Sequence, residues 1–179
     1  MESETTTKAE INLPSIIISG VGNVLRQDDG FGIAVVHRLI DRGGLPSSVK
    51  VVETGIAGIR LVQELMDKYD VLILVDAVER GGEPGQLYLL EAEVPDLADI
   101  SFDERNAFVA DMHYTNPTRA MMLAKAINVL PPKVYILGCE VALFDDFEMK
   151  LSPEIQDAIP RAIEKIDELI AQVALGENG

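Results

Sequence analysis

The chain of 179 residues has one cysteine, two histidines and half as many basic as acidic side chains. Cys139, standing alone, excludes an intrachain disulfide framework and a metal cluster built from cysteines. Imidazole chemistry is restricted to His37 and His113. With 15 Lys and Arg against 30 Asp and Glu, the formal net charge is -15. That argues against nucleic acid or an anionic membrane as a partner, because like charges repel, and leaves a neutral or basic protein as the compatible class. No apolar run approaches the roughly 20 residues needed to span a bilayer. The first 14 residues lack the basic n-region and apolar core of a signal peptide. A cytoplasmic protein is the expectation. Internal repeats and low-complexity segments are absent as well.

What remains is ordinary globular material, 47% hydrophobic and 25% charged. The length suits one domain. The reading is a polar tail over 1–14 and a single domain over 15–175. Strands are expected at Ser15–Val21, Val49–Thr54, Val71–Val78, Gln86–Glu91 and Lys133–Val141. Helices are expected from about Asp29 to Arg42, from just after the Gly55–Gly58 turn to about Tyr69, from Thr118 to Asn128 and from Ser152-Pro153 onward. Pro160 inside the last helix should kink it or divide it. The Gln86–Glu91 strand follows its predecessor too closely for a crossover helix and suits an antiparallel edge. Alternation of strands and helices predicts an α/β fold, a three-layer sandwich with a twisted, mostly parallel sheet of about five strands and helices on both faces.

Open α/β sheets bind ligands beyond the carboxyl ends of their strands. Three turns qualify: Asn23 to Asp29 after the first strand, Glu53 to Gly55 after the second, and Asp76 near the end of the third. Asp76 interrupts the apolar run VLILVDAV, where a carboxylate must be hydrogen-bonded, protonated or metal-bound. Of the adjacent acids Asp28 and Asp29, one is expected to serve the helix start, leaving the second for chemistry. Gly20-Val21-Gly22 resembles the opening of a dinucleotide turn, but position 25 is Leu and the acids occupy the place of a pyrophosphate. His37 lies among apolar residues and reads as a core-edge or surface histidine; His113 lies in a polar junction just before Asn116-Pro117. Asp29, Asp76 and His113 together form an oxygen- and nitrogen-rich set that suits nickel, zinc or another divalent ion, with Asp111 as a competing ligand. The acidic stretch Ala92–Asp111 is either a solvated loop or a docking surface. Cys139 reads as a small buried hydrophobe.

The run GVGNVLRQDDGFG over 20–32 resembles the opening signature of the hydrogenase maturation proteases. The resemblance continues through Glu53–Gly58, Leu74–Ala77, Ile136–Glu140 and Leu151–Glu154, and so spans Ile16 to Ala171. It implies a soluble α/β endopeptidase that removes a C-terminal extension from the large-subunit precursor of a nickel–iron hydrogenase after nickel insertion. The family's metal-site positions fall on Asp29, Asp76 and His113, which would act both as catalytic residues and as contacts to nickel, that of the substrate or another divalent metal. Some relatives carry glutamate at the position of Asp29. A reading of another class is a metal-sensing chaperone that binds the precursor without cutting it.

Overall fold

The structure is a computed structural model, and it describes residues 13–56, 58–98, 117–142 and 147–176. Five strands form one sheet: β1 Ile16–Val21, β2 Val49–Gly55, β3 Val71–Val78, β4 Leu87–Glu91 and β5 Lys133–Glu140. Their order is β2-β1-β3-β5-β4. All neighbours are parallel except β4, which runs antiparallel to β5 at the edge. Among the described residues there are four α-helices: α1 Phe31–Arg42, α2 Gly58–Leu65, α3 Pro117–Ala126 and α4 Pro153–Leu175. No helix among them is long and apolar enough to cross a membrane.

The unbroken apolar runs of β1 and β3 are explained by burial on both sides of the sheet. Side chains alternate across a strand. Ile16 and Ile18 of β1, with Val71, Ile73 and Val75 of β3, pack beneath α1 and α4. Ile17, Leu72 and Leu74 face the other way and pack beneath α2 and α3. Each such fully buried Leu or Ile contributes roughly 1.5–3 kcal/mol. The three-layer arrangement expected from the sequence is therefore the one observed, with the antiparallel edge strand in its expected place.

Several details differ from expectation. Helix α2 ends at Leu65, short of Tyr69, and Lys68 takes a left-handed conformation just after it. Helix α3 ends at Ala126, with Asn128 left-handed. Ile40, Met66 and Ile127 belong to the apolar pattern but are exposed. Each lies at the end of its helix or beyond it, where the stripe turns off the sheet. Pro160 does not divide the last helix, which runs unbroken from Pro153 to Leu175. Pro160 sits on the solvent side, and so does Gln156, whose carbonyl loses its helical partner. Water can take up that carbonyl, while Ile155, Ala158, Ala162 and Ile163 hold the buried face.

Two glycines set the distance between α1 and the sheet. A Cβ on Gly32 would meet the carbonyl oxygens of Val21 and Val75, and one on Gly20 would meet the Gly32 carbonyl and Val36. Gly20 is thus a packing residue within β1 rather than part of the turn. The turn depends on Gly22, whose φ of 131° favours glycine.

Candidate active site

The β1–α1 turn is held by its own backbone. The ladder between β1 and β2 shifts after Gly20, so that Val21 pairs with Gly55 and skips Thr54. Such an irregularity re-aims the chain as it leaves the strand. Asn23 then folds the turn together. Its backbone N–H donates to the Asp29 carbonyl at 3.2 Å and to the Asp29 carboxylate at 3.1 Å. Its side-chain oxygen accepts the Leu25 N–H at 3.0 Å. A 3-10 turn over Gln27–Gly30 carries both acids into α1.

Asp76 reaches the same place from the next strand. Asp29 and Asp76 line one cleft of about 530 Å³ at the carboxyl end of the sheet, together with Asn23, Arg26, Ile56 and Glu79. The Asp76 carboxylate accepts the Ala77 N–H at 2.9 Å. Burial pushes its pKa up to about 7; the Ala77 hydrogen bond opposes this, and the charge of Asp29 adds to it. Burial also raises Asp29, but the Asn23 N–H and the nearby Arg26 guanidinium pull it back. Two carboxyls in one cleft therefore sit in unequal surroundings, an arrangement that separates an acid from a base.

Asp28, beside Asp29 in sequence, points elsewhere. It is fully buried and accepts the Ser152 N–H at 2.7 Å and the Ser152 hydroxyl at 3.0 Å. Ser152 is the N-cap of α4. Asp28 does serve a helix start, as expected, but that of α4 rather than of α1. Its carboxylate lies at the positive end of a 23-residue helix.

The turn after β2 contributes less than expected. Glu53 points to the surface, where it meets the exposed His37 at 2.6 Å. Thr54 is buried and hydrogen-bonds Ser19 and the Gly20 carbonyl. Among the described residues of this region, Ile56 lines the cleft with the two aspartates. Cys139 is buried, as expected, and burial pushes its thiol up to about 12. Among the described residues, no three His, Cys, Asp or Glu side chains are placed to hold a metal ion. His113 and Asp111 lie outside the described residues, as does the 99–111 part of the acidic stretch Ala92–Asp111. Pro117, four positions after His113, lines the cleft.

Arg26 and Glu79 were not singled out by the sequence, although Arg26 lies inside the turn that carries Asp29. Glu79 is placed by a buried neighbour. The Glu140 carboxylate accepts the N–H groups of Arg80 and Gly81 at 2.8 and 3.0 Å and so fixes the loop after β3. Burial works to raise Glu140, yet these backbone donors hold it below its usual range. A larger hollow of about 1000 Å³ lies at the opposite end of the sheet, beside Pro131 and Pro132. Its Lys125 is engaged by the Val94 carbonyl and Asp96.

The model of the hydrogenase maturation protease family matches residues 33–169 of this chain. The chain belongs to that family. The matched span includes Asp76 and His113, and Asp29 lies just before it. HupD of Thiocapsa roseopersicina, a hydrogenase expression/formation protein, is 33% identical over 160 residues, covering 89% of this protease and 69% of HupD. The hydrogenase maturating endopeptidase HybD from E. coli superposes with a TM-score of 0.69 at 26% identity, over 88% of this chain and 92% of HybD. A hydrogenase 2 maturation peptidase from a Thaumarchaeota archaeon gives 0.63 at 32% identity, over 87% of this chain and 97% of that one. The cleft of this protease thus sits on a scaffold shared with solved maturation peptidases.

Proposed function

We propose that this protease hydrolyses a peptide bond near the C-terminus of a nickel–iron hydrogenase large-subunit precursor, after nickel insertion and in the cytoplasm. The observation that carries the reading is the pair Asp29, from the turn after β1, and Asp76, from β3, lining one cleft. In that step the ionised carboxylate takes a proton from water as the water oxygen bonds to the scissile carbonyl carbon. The protonated carboxyl gives its proton to the departing amine as the C–N bond breaks. A carboxyl poised near neutrality, as Asp76 is, suits the second role.

The nickel of the precursor belongs to the substrate. Asp29, Asp76 and His113 offer it oxygen and nitrogen donors, a combination compatible with a divalent first-row ion. In sequence His113 precedes the cleft residue Pro117 by four positions. When bound, the ion would polarise the scissile carbonyl or the attacking water.

The test is to mix the purified protease with nickel-loaded precursor and record the intact mass of the precursor. The reading expects loss of a C-terminal peptide. An unchanged mass in a stable complex would instead support a chaperone that binds without cutting. Metal analysis of the protease before and after mixing distinguishes an ion it retains from one brought by the precursor.

A further inference from the structure

The cleft is bordered by large apolar side chains that the fold leaves in water. Ile56, 51% exposed, is on the cleft wall, and Ile59 is exposed at the start of α2. The β1–α1 turn exposes Val24 and Leu25 between the cleft residues Asn23 and Arg26. The Gln27 N–H donates to the Glu148 carbonyl at 3.0 Å, which fastens the segment around 147–149 against this turn. That segment holds Phe147 at 87% exposure and Met149 at 74%, on either side of Glu148. A Phe left in water forgoes roughly 2 kcal/mol of burial free energy. Grouped exposed side chains of this size mark an interaction surface rather than ordinary surface scatter.

Charge selects the occupant. The chain carries -15, and within or beside this region Asp29, Asp76, Glu79 and Glu148 outnumber Arg26 and Lys150. A second copy would bring the same charge and be repelled. A face with an apolar centre and a basic fringe is complementary. A substrate protein whose tail enters the cleft must also cover whatever surface borders it.

We propose that Phe147 and Met149, with Val24 and Leu25, dock the folded body of the protein substrate while its C-terminal tail lies in the Asp29–Asp76 cleft. The body presents an apolar face fringed by Lys and Arg. This rests on the endopeptidase reading for the choice of substrate, but the contact itself can be measured without cleavage.

The test uses the double variant Phe147→Ser, Met149→Ser. Both side chains are exposed, so its melting temperature should match that of the parent. With nickel-loaded large-subunit precursor as substrate, KM should rise by about tenfold or more with kcat within about twofold. Binding is measured separately in an Asp29→Asn background by surface plasmon resonance, where the double variant should weaken precursor affinity by a similar factor. A KM and an affinity both within threefold of the parent would overturn the proposal. So would sedimentation showing a dimer that the double variant abolishes while precursor affinity stays unchanged, since the edge would then be a self-interface. If the parent binds the precursor, the double variant does not, and no cleavage is seen, the endopeptidase reading falls and the docking surface stands. If the parent neither cuts nor binds, both fall.

Discussion

Asp28 accepts two hydrogen bonds from one residue 124 positions away, the backbone N–H and the hydroxyl of Ser152. This pair ties the β1–α1 turn to the start of the C-terminal helix, so the position of Asp29 depends on α4. Asp28→Ala should strand both Ser152 donors in a buried site and cost about 2–4 kcal/mol. Asp28→Asn keeps one acceptor oxygen and should cost about half as much. Chemical denaturation of the two variants and the parent measures this. Equal stability of Asp28→Ala and the parent would contradict the role.

Asp76 predicts a pH dependence of stability. Its pKa is raised from 3.8 to about 7 in the folded chain, chiefly by burial. The folded state therefore holds a proton that the unfolded state has already lost between those values. The stabilisation belonging to this proton is complete below about pH 4 and is lost as pH rises through about 7. Asp76→Asn removes the penalty of the buried charge. We expect it to be more stable than the parent at pH 8, by roughly 2–3 kcal/mol once water in the open cleft is allowed for. The gain should vanish near pH 4. Denaturant midpoints at the two pH values check the sign.

Arg26 supplies the positive charge that holds Asp29 down against burial. Arg26→Met should let the Asp29 pKa rise. The acid limb of the pH–rate profile should then move to higher pH, because more acid is neutralised at a given pH. A rate profile unchanged by the substitution would show that Asp29 does not titrate in the rate-limiting step.

Gly32 predicts a packing defect. An alanine there would press its Cβ on the carbonyl oxygens of Val21 and Val75, which belong to two central strands. Neither strand can retreat without breaking the ladder between β1 and β3. Gly32→Ala should cost about 3 kcal/mol or more and reduce the yield of folded protein. Thermal melting of the soluble fraction measures it.

Most of the architecture was legible because its signals are local. The apolar runs Ile16–Ile18 and Val71–Val75 could only be strands buried on both faces, and Pro117 and Pro153 mark helix starts as expected. Pairing at a distance was not legible. Nothing in the spacing of Asp28 and Asp29 says that one turns toward Ser152 and the other toward Asp76. That division follows from the 3-10 turn, which points successive side chains in different directions. Glu53 meets the strand-end rule, but strand alternation puts it with Val49 and Val51 on the α1 face, where it meets His37. Arg26 and Glu79 carried no signal as single charges and gained meaning only from the shared cleft. Pro160 does not divide its helix because a wide buried face tolerates one lost hydrogen bond on the wet side.

In the proposed reaction Asp29 and Asp76 perform the cleavage. Single-turnover processing of the nickel-loaded precursor by Asp29→Asn and by Asp76→Asn tests it most directly. Each variant should remain folded by circular dichroism and cut the precursor at least about 100-fold more slowly than the parent. A folded variant at either position that retains more than about a tenth of the parent rate would contradict the account.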